Sequence, residues 1–217
     1  MRFLRRAVTL PSKAAYALWA AEYPPHAHNP LMALEETAVR SLLPPLTSRR
    51  VLDLAGGTGR YAQMAYQRGA AMVISTDNSL AMLRENASPL RAEADMRGLP
   101  FADATFEVIL CGLAIGHLPS ESLVGFYREM QRVLCADGVA LISDFHPFLY
   151  FLGGRREFTI RKRRYAVEHH PHLLSSHFAA LEAANLRLTG LSEPTAPLPN
   201  RPDQDVPAVL VLQVTKP

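Results

Sequence analysis

The chain has 217 residues, 48% of them hydrophobic and 20% charged, with a formal net charge of +3. Length and apolar content predict one globular domain, 1–217, with room for a full core. The mild positive charge singles out no partner, and the longest apolar stretch, Val108–Gly116, falls far short of the ~20 residues that a membrane helix needs.

The first 21 residues hold Arg2, Arg5, Arg6 and Lys13 and no acid, which weakly resembles an organelle transit segment. Pro11 and Lys13 interrupt any signal-type apolar core, so an unprocessed cytoplasmic chain is expected. Ser12 is placed to cap a helix through Ala21 that carries Tyr16, Leu18 and Trp19, with Tyr23 just beyond. Asn29-Pro30 reads as a cap followed by proline at the first helical position. The stripe Leu31, Leu34, Ala38, Leu42 then runs at helical spacing to Pro44-Pro45. These two helices, within residues 1–48, are expected to pack on the sheet or over a ligand site.

Val51-Leu52-Asp53-Leu54 is strand-like and breaks into Ala55-Gly56-Gly57-Thr58-Gly59 before a helix over Arg60–Arg68 that closes at Gly69. A strand ending in a glycine turn at a helix N-terminus brings bare backbone close to a nucleotide-like ligand. Ala71–Thr76 is a buried strand ending at Asp77-Asn78, and Asp77 lies 20 residues beyond Gly57. That is where a second strand presents a carboxylate to ribose hydroxyls. Asp77 is equally able to cap a helix over Ser79–Asn86.

Leu90–Ala94 is a short third strand leading to Asp95-Met96 and the turn Leu99-Pro100-Phe101. Phe106–Cys111 is a strong fourth strand, Pro119–Leu134 a helix, and Val139–Ser143 a fifth strand after the Asp137-Gly138 turn. Asp144–His172 breaks the rhythm. Ser175–Asn185 is a last helix, followed by strands over Arg187–Leu191 and Ala208–Val214. Between them Pro194, Pro197, Pro199, Pro202 and Pro207 predict a loop. Alternating strands and helices predict an α/β, doubly wound, mostly parallel sheet with helices on both faces. The final two strands, with no helix between them, must be antiparallel if they pair. Cys111 and Cys135 read as reduced, buried thiols of an intracellular protein.

These residues resemble the class I S-adenosylmethionine-dependent methyltransferases, in particular the small-molecule branch that methylates ubiquinone and menaquinone precursors. Val51 to Arg60 is similar to the family's first motif, with Ala55 in the place of its first glycine. Ser75 to Leu83 is similar to the second, and Glu93 to Met96 with Leu99-Pro100-Phe101 to the adenine-holding segment. The resemblance implies a Rossmann-like sheet of seven strands with an antiparallel last strand, and S-adenosylmethionine as cofactor, leaving S-adenosylhomocysteine as product. It implies cofactor contacts at Asp53, Ala55, Gly56, Gly57, Gly59, Asp77, Asn78, Asp95 and Met96. Asp95 would accept from the adenine amine. Tyr16, Trp19 and Tyr23 would cover the cofactor, and Cys111 at the end of the fourth strand joins its wall.

A nicotinamide-dependent dehydrogenase is the competing reading, since Gly57-Thr58-Gly59-Arg60-Tyr61-Ala62 satisfies G-x-G-x-x-A and Asp77 the acidic position. Against it, Asp53 would set a negative charge near a pyrophosphate, and no Tyr-x-x-x-Lys pair occurs. A catalytically silent cofactor-binding partner subunit is the third reading.

Methyl transfer chiefly requires alignment, and a base only for a poorly ionised acceptor. His146, oriented by Asp144, and His117 are the candidate catalytic residues, within reach of the insertion at 145–174. The basic run Arg155–Arg164 reads either as the solvated face of an antiparallel ribbon or as a site for an anionic acceptor, RNA or membrane surface. His169, His170, His172 and His177 look metal-like, yet Pro171 splits them and no acid or cysteine joins at ligand spacing, so no metal is expected. Phe145, Phe148, Tyr150 and Phe151 suggest a partly apolar acceptor pocket. The expected reaction is methylation of a small organic acceptor, at oxygen in preference to carbon or nitrogen, with no membrane partner expected and a nucleic-acid partner disfavoured; a homodimer is compatible with it.

Overall fold

A computed structural model describes residues 7–198 and 201–217, with only the backbone described at 201 and 202. The transit-like arginines Arg2, Arg5 and Arg6 lie outside the described residues. In chain order, β1 (Val8–Leu10) leads into α1 (Ser12–Trp19) and a 3₁₀ turn over Ala20–Glu22, then α2 (Pro30–Leu42). The first unit follows as β2 (Arg50–Leu54), α3 (Arg60–Gln67) and β3 (Met72–Asp77). Next come α4 (Leu80–Arg84), β4 (Arg91–Glu93), β5 (Phe106–Gly112), α5 (Leu123–Val133) and β6 (Leu134–Phe145). A short α6 (Pro147–Phe151) precedes β7 (Glu157–Ile160) and β8 (Arg163–Val167). The chain closes with α7 (Leu174–Ala183), β9 (Arg187–Ser192), β10 (Thr195–Leu198), β11 (Arg201–Pro207) and β12 (Val209–Thr215).

The central sheet has seven strands in the order β4-β3-β2-β5-β6-β12-β9. Neighbours from β4 to β6 are parallel, and β12 is antiparallel to both β6 and β9. The sheet is therefore the doubly wound one that the sequence predicts. Alternation along β5 shows why helices cover both faces. Val108 and Leu110 pack with α2 and α3, while Ile109 and Cys111 pack with α5 and α7.

Local signals explain most element ends. Asn29 accepts from the Met32 N–H at 3.0 Å ahead of Pro30, and Gly69 takes φ +79 after α3. Ser12 does not cap α1, because it already lies inside the helix and Pro11 precedes it. Ser79, rather than Asp77, caps α4. The extended chain of β6 starts five residues early, directly after α5, and kinks at Asp137 (φ +58), where its register on β5 slips.

Two segments differ more. Residues 145–174 do hold regular structure: β7 and β8 form a hairpin, β1 pairs with β8 in parallel, and α1 covers this small sheet. Phe158, Ile160, Val167 and Ala15 make its core, and Arg161, Lys162, Arg163 and Arg164 lie exposed on its turn and on β8, whereas Arg156 is half-buried. The proline-rich loop is also partly a ribbon, β10 paired antiparallel with β11. Proline is tolerated there because each strand of a two-stranded ribbon has a free edge that needs no N–H donor.

Candidate active site

The glycine turn is built around a buried acid. Asp53 is fully buried. Its Oδ2 accepts from the Ser75 hydroxyl (2.9 Å) and the Ala62 N–H (3.1 Å), while Oδ1 is buried without a hydrogen-bond partner. Burial pushes this carboxyl up to about 7. A Cβ on Gly56 would fall 2.1 Å from Asp53 Oδ2, so only glycine lets the turn fold against the acid. Ala55 (φ +55) and Gly57 (φ +56) are both left-handed, which explains why the family places glycine where this chain has alanine.

Asp77 ties the turn to the next strand. Its Oδ2 accepts from the Gly57 N–H at 2.9 Å and its Oδ1 from the Ser79 N–H at 2.8 Å, and burial raises its pKa. Asp53, Ala55, Gly56, Gly57, Asp77, Asn78 and Met96 all line one cleft at the C-terminal ends of β2 and β3. Gly59 does not line it. A Cβ there would meet Asn86 Oδ1 at 2.4 Å, and Asn86 in turn donates to Gly57 O (3.0 Å) and Ser75 Oγ (2.9 Å). Asn86 is thus a turn-holding residue that sequence reading missed, and no local motif marks it.

Three further residues stand elsewhere than expected. Asp95 lies outside the cleft, bound to Arg97 at 2.6 and 2.9 Å, and that hydrogen-bonded pair lowers its pKa. Cys111 points into the core beneath the sheet, where burial drives its thiol pKa up; Gly112, Leu113 and Ala114 form the wall instead. Trp19 stacks on Phe158 (centroids 4.4 Å apart), leaving Tyr16 and Tyr23 as the aromatics over the cleft.

Of the candidate bases, only His117 reaches the cleft. Its Nδ1 lies 3.0 Å from the Glu168 carbonyl, so that nitrogen carries the proton and Nε2 is the acceptor. Nε2 lies 3.1 Å from the Tyr16 hydroxyl and 3.3 Å from Arg156 Nη1. Burial, aided by the Arg156 charge, lowers His117 to about 3 and keeps it neutral. His146 instead caps α6, its Nδ1 accepting from the Phe148 N–H (3.2 Å) and its Nε2 lying 3.0 Å from Glu193. Asp144 does not orient it: its oxygens accept from the main-chain N–H groups of Gly116 and Phe145.

A second cavity of about 610 Å³ adjoins the cleft and shares Tyr23, Met32, Leu113 and Arg156 with it. Trp19, Leu31, Phe145, Leu149, Tyr150 and His169 contribute its mainly apolar wall. Phe148 and Phe151 are exposed and take no part. Leu113 holds φ +57 at this boundary, a rare conformation for a bulky residue and one that marks functional sites. His169 is the histidine of its cluster that enters the cavity. His172 faces the carbonyls of Ile115 and Leu118, and His177 lies 2.8 Å from the Tyr127 hydroxyl. Among the described residues no three His, Cys, Asp or Glu side chains are grouped for a metal ion, and no helix is long and apolar enough to cross a membrane.

Residues 52–142, from β2 into β6, match the methyltransferase domain family. The chain is 38% identical over 108 residues to a malonyl-[acyl-carrier protein] O-methyltransferase of Halorhodospira halophila, covering 46% of this chain and 36% of that protein. It is 32% identical over 108 residues to the ubiquinone/menaquinone biosynthesis C-methyltransferase UbiE of Geotalea uraniireducens, covering 44% and 45%. Alignments span 36% to 62% of the length of the first curated relatives. In fold it is similar to an S-adenosylmethionine-dependent methyltransferase from Mesorhizobium loti, with TM-score 0.69 at 21% identity over 84% of this chain and 98% of that one. The glycine turn, the acid at the end of β3 and the antiparallel β12 accord with these likenesses: residues 52–142 match the methyltransferase domain family, and the fold is similar to that of S-adenosylmethionine-dependent methyltransferases.

Proposed function

We propose that this protein transfers the methyl group of S-adenosylmethionine to an oxygen of a small organic acceptor held in the second cavity. The shared wall of Tyr23, Met32, Leu113 and Arg156 carries this reading, because it sets an acceptor directly beside the cofactor cleft. Asp77 would take the ribose hydroxyls, Asn78 and Met96 would flank the adenine, and the orphaned Asp53 Oδ1 suits the ammonium of an amino-acid tail. The cofactor, when bound, supplies a methyl group activated by its sulfonium. The chain's own part is to align the acceptor and exclude water, with Tyr16 and Tyr23 closing the cleft.

Relatives named for O-methylation and for C-methylation both align, and the choice of oxygen rests on the site. An ionised oxygen needs no base, and of the two histidines first considered His146 is turned away while His117, lowered to about 3 and with Nε2 facing the Tyr16 hydroxyl and Arg156, is too weakly basic. A small acceptor in the cytoplasm fits this cavity better than a nucleic acid, since Arg161, Lys162, Arg163 and Arg164 are exposed on the ribbon and do not line it. The test is incubation with methyl-labelled S-adenosylmethionine and a panel of phenols, quinols and carboxylic acids. Label transfer with matching S-adenosylhomocysteine release supports the reading. Cofactor binding with no transfer to any of them would favour the silent-subunit alternative.

A further inference from the structure

We propose that Arg156 holds the carboxylate of the acceptor at the boundary of the two cavities, and that a carboxylate oxygen is the atom methylated. This rests on the methyltransferase reading above and names its substrate class. Arg155 also lines the second cavity from an exposed position, but Arg156 is the residue of the basic run that is half-buried and borders both cavities. Its Nη1 donates to the Tyr16 hydroxyl, to the Leu113 carbonyl (3.0 Å) and towards His117 Nε2 (3.3 Å), and its guanidinium lies over the Phe145 ring, 4.6 Å from the centroid. Nη2 is buried and has no hydrogen-bond partner, and among the described residues no acid forms an ion pair with this side chain. The acid whose charge acts on it, Asp144, has both oxygens taken by main-chain N–H groups.

A desolvated guanidinium with unused donors and no counter-ion is unfavourable until an anion arrives. Its planar fork suits a carboxylate, which can take two parallel N–H bonds. The surrounding wall of Phe145, Tyr150, Leu149 and Leu31 fits an apolar body behind that carboxylate. Arg156 also borders the cofactor cleft, so an oxygen held on it lies where the methyl group must be received. In the step, one carboxylate oxygen forms a C–O bond to the methyl carbon as the C–S bond breaks. The electron pair stays on sulfur, the positive and negative charges cancel, and no proton moves. The product is a methyl ester, and no general base is required.

The test uses matched pairs of aryl and alkyl carboxylates and their carboxamides, titrated by ligand-observed NMR into protein saturated with S-adenosylhomocysteine. Wild type should prefer the carboxylates by tenfold or more, Arg156→Gln should abolish the preference, and Arg156→Lys should keep part of it. Melting curves report whether each variant folds, and the wild-type preference with its weakening in salt stands without them. Equal binding of acids and amides, no binding of any carboxylate at millimolar concentration, or an unchanged preference in a folded Arg156→Gln would overturn the proposal. A loss of S-adenosylhomocysteine affinity in Arg156→Gln, with carboxylates unaffected, would also overturn it by assigning the guanidinium to the cofactor's own carboxylate. Failure of wild type to bind S-adenosylhomocysteine at all would sink the methyltransferase reading instead.

Discussion

The main-chain N–H of Gly57 donates to the Asp77 carboxylate across 2.9 Å, joining the glycine turn to the end of the neighbouring strand. Each half of the cofactor cleft thereby fixes the other. Asp77→Ala removes the carboxylate proposed to take the ribose hydroxyls and also frees the turn. Affinity for S-adenosylhomocysteine should fall by about 10- to 100-fold, the effect of losing one or two charge-assisted hydrogen bonds. Calorimetric titration of both proteins measures it.

Binding should depend on pH through Asp53. Burial raises its carboxyl from 3.8 to about 7 in the free protein, and a cationic ligand group beside it favours the ionised form. Affinity for S-adenosylhomocysteine should therefore rise from pH 6 towards pH 7 and level off above it. Proton release should show in buffers of different ionisation heat, and Asp53→Asn should abolish both. The stability effect has the opposite sign. The folded state keeps its proton where the unfolded state has lost it, so this contribution is full below about 4 and is lost as pH rises through 7.

Ala55 is strained by its left-handed φ of +55. Ala55→Gly relieves that strain and should stabilise the fold by about 1 kcal/mol, less the extra freedom glycine gains when unfolded. Urea unfolding would show a higher midpoint at unchanged slope.

A buried network pins α2 onto the start of α3. Glu35 is fully buried and accepts from Tyr61 Oη (2.5 Å), Arg60 Nη2 (2.7 Å) and the Ser143 hydroxyl. Glu35→Ala leaves Arg60 with only its longer contact to Glu36 (3.4 Å) and should destabilise the protein by about 3 kcal/mol. Chemical unfolding would detect it, and Glu35→Gln should be milder because two hydrogen bonds can remain.

Much of this was legible in the sequence because the signals are local. The glycine turn, Asp77 at the end of the next strand and the Asn29-Pro30 helix start each depend on a few adjacent residues. What escaped depends on contacts distant in sequence. Glu35 looks like a surface residue of an amphipathic helix until Arg60, Tyr61 and Ser143 surround it. Arg156 is one basic residue among six between 155 and 164, and its inward partners Tyr16, Leu113 and His117 all lie far away in sequence. His146 beside Asp144 suggested a catalytic pair, but a helix start and Glu193 claim its nitrogens. Asp95 stands outside the cleft lining, its carboxylate bonded to Arg97 two residues on.

The most direct test of the account is a calorimetric titration of the wild-type protein with S-adenosylhomocysteine, run beside NADH. The account predicts one-to-one, micromolar binding of S-adenosylhomocysteine and none of NADH. Preference for NADH, or binding of neither, would contradict it and leave only the doubly wound fold.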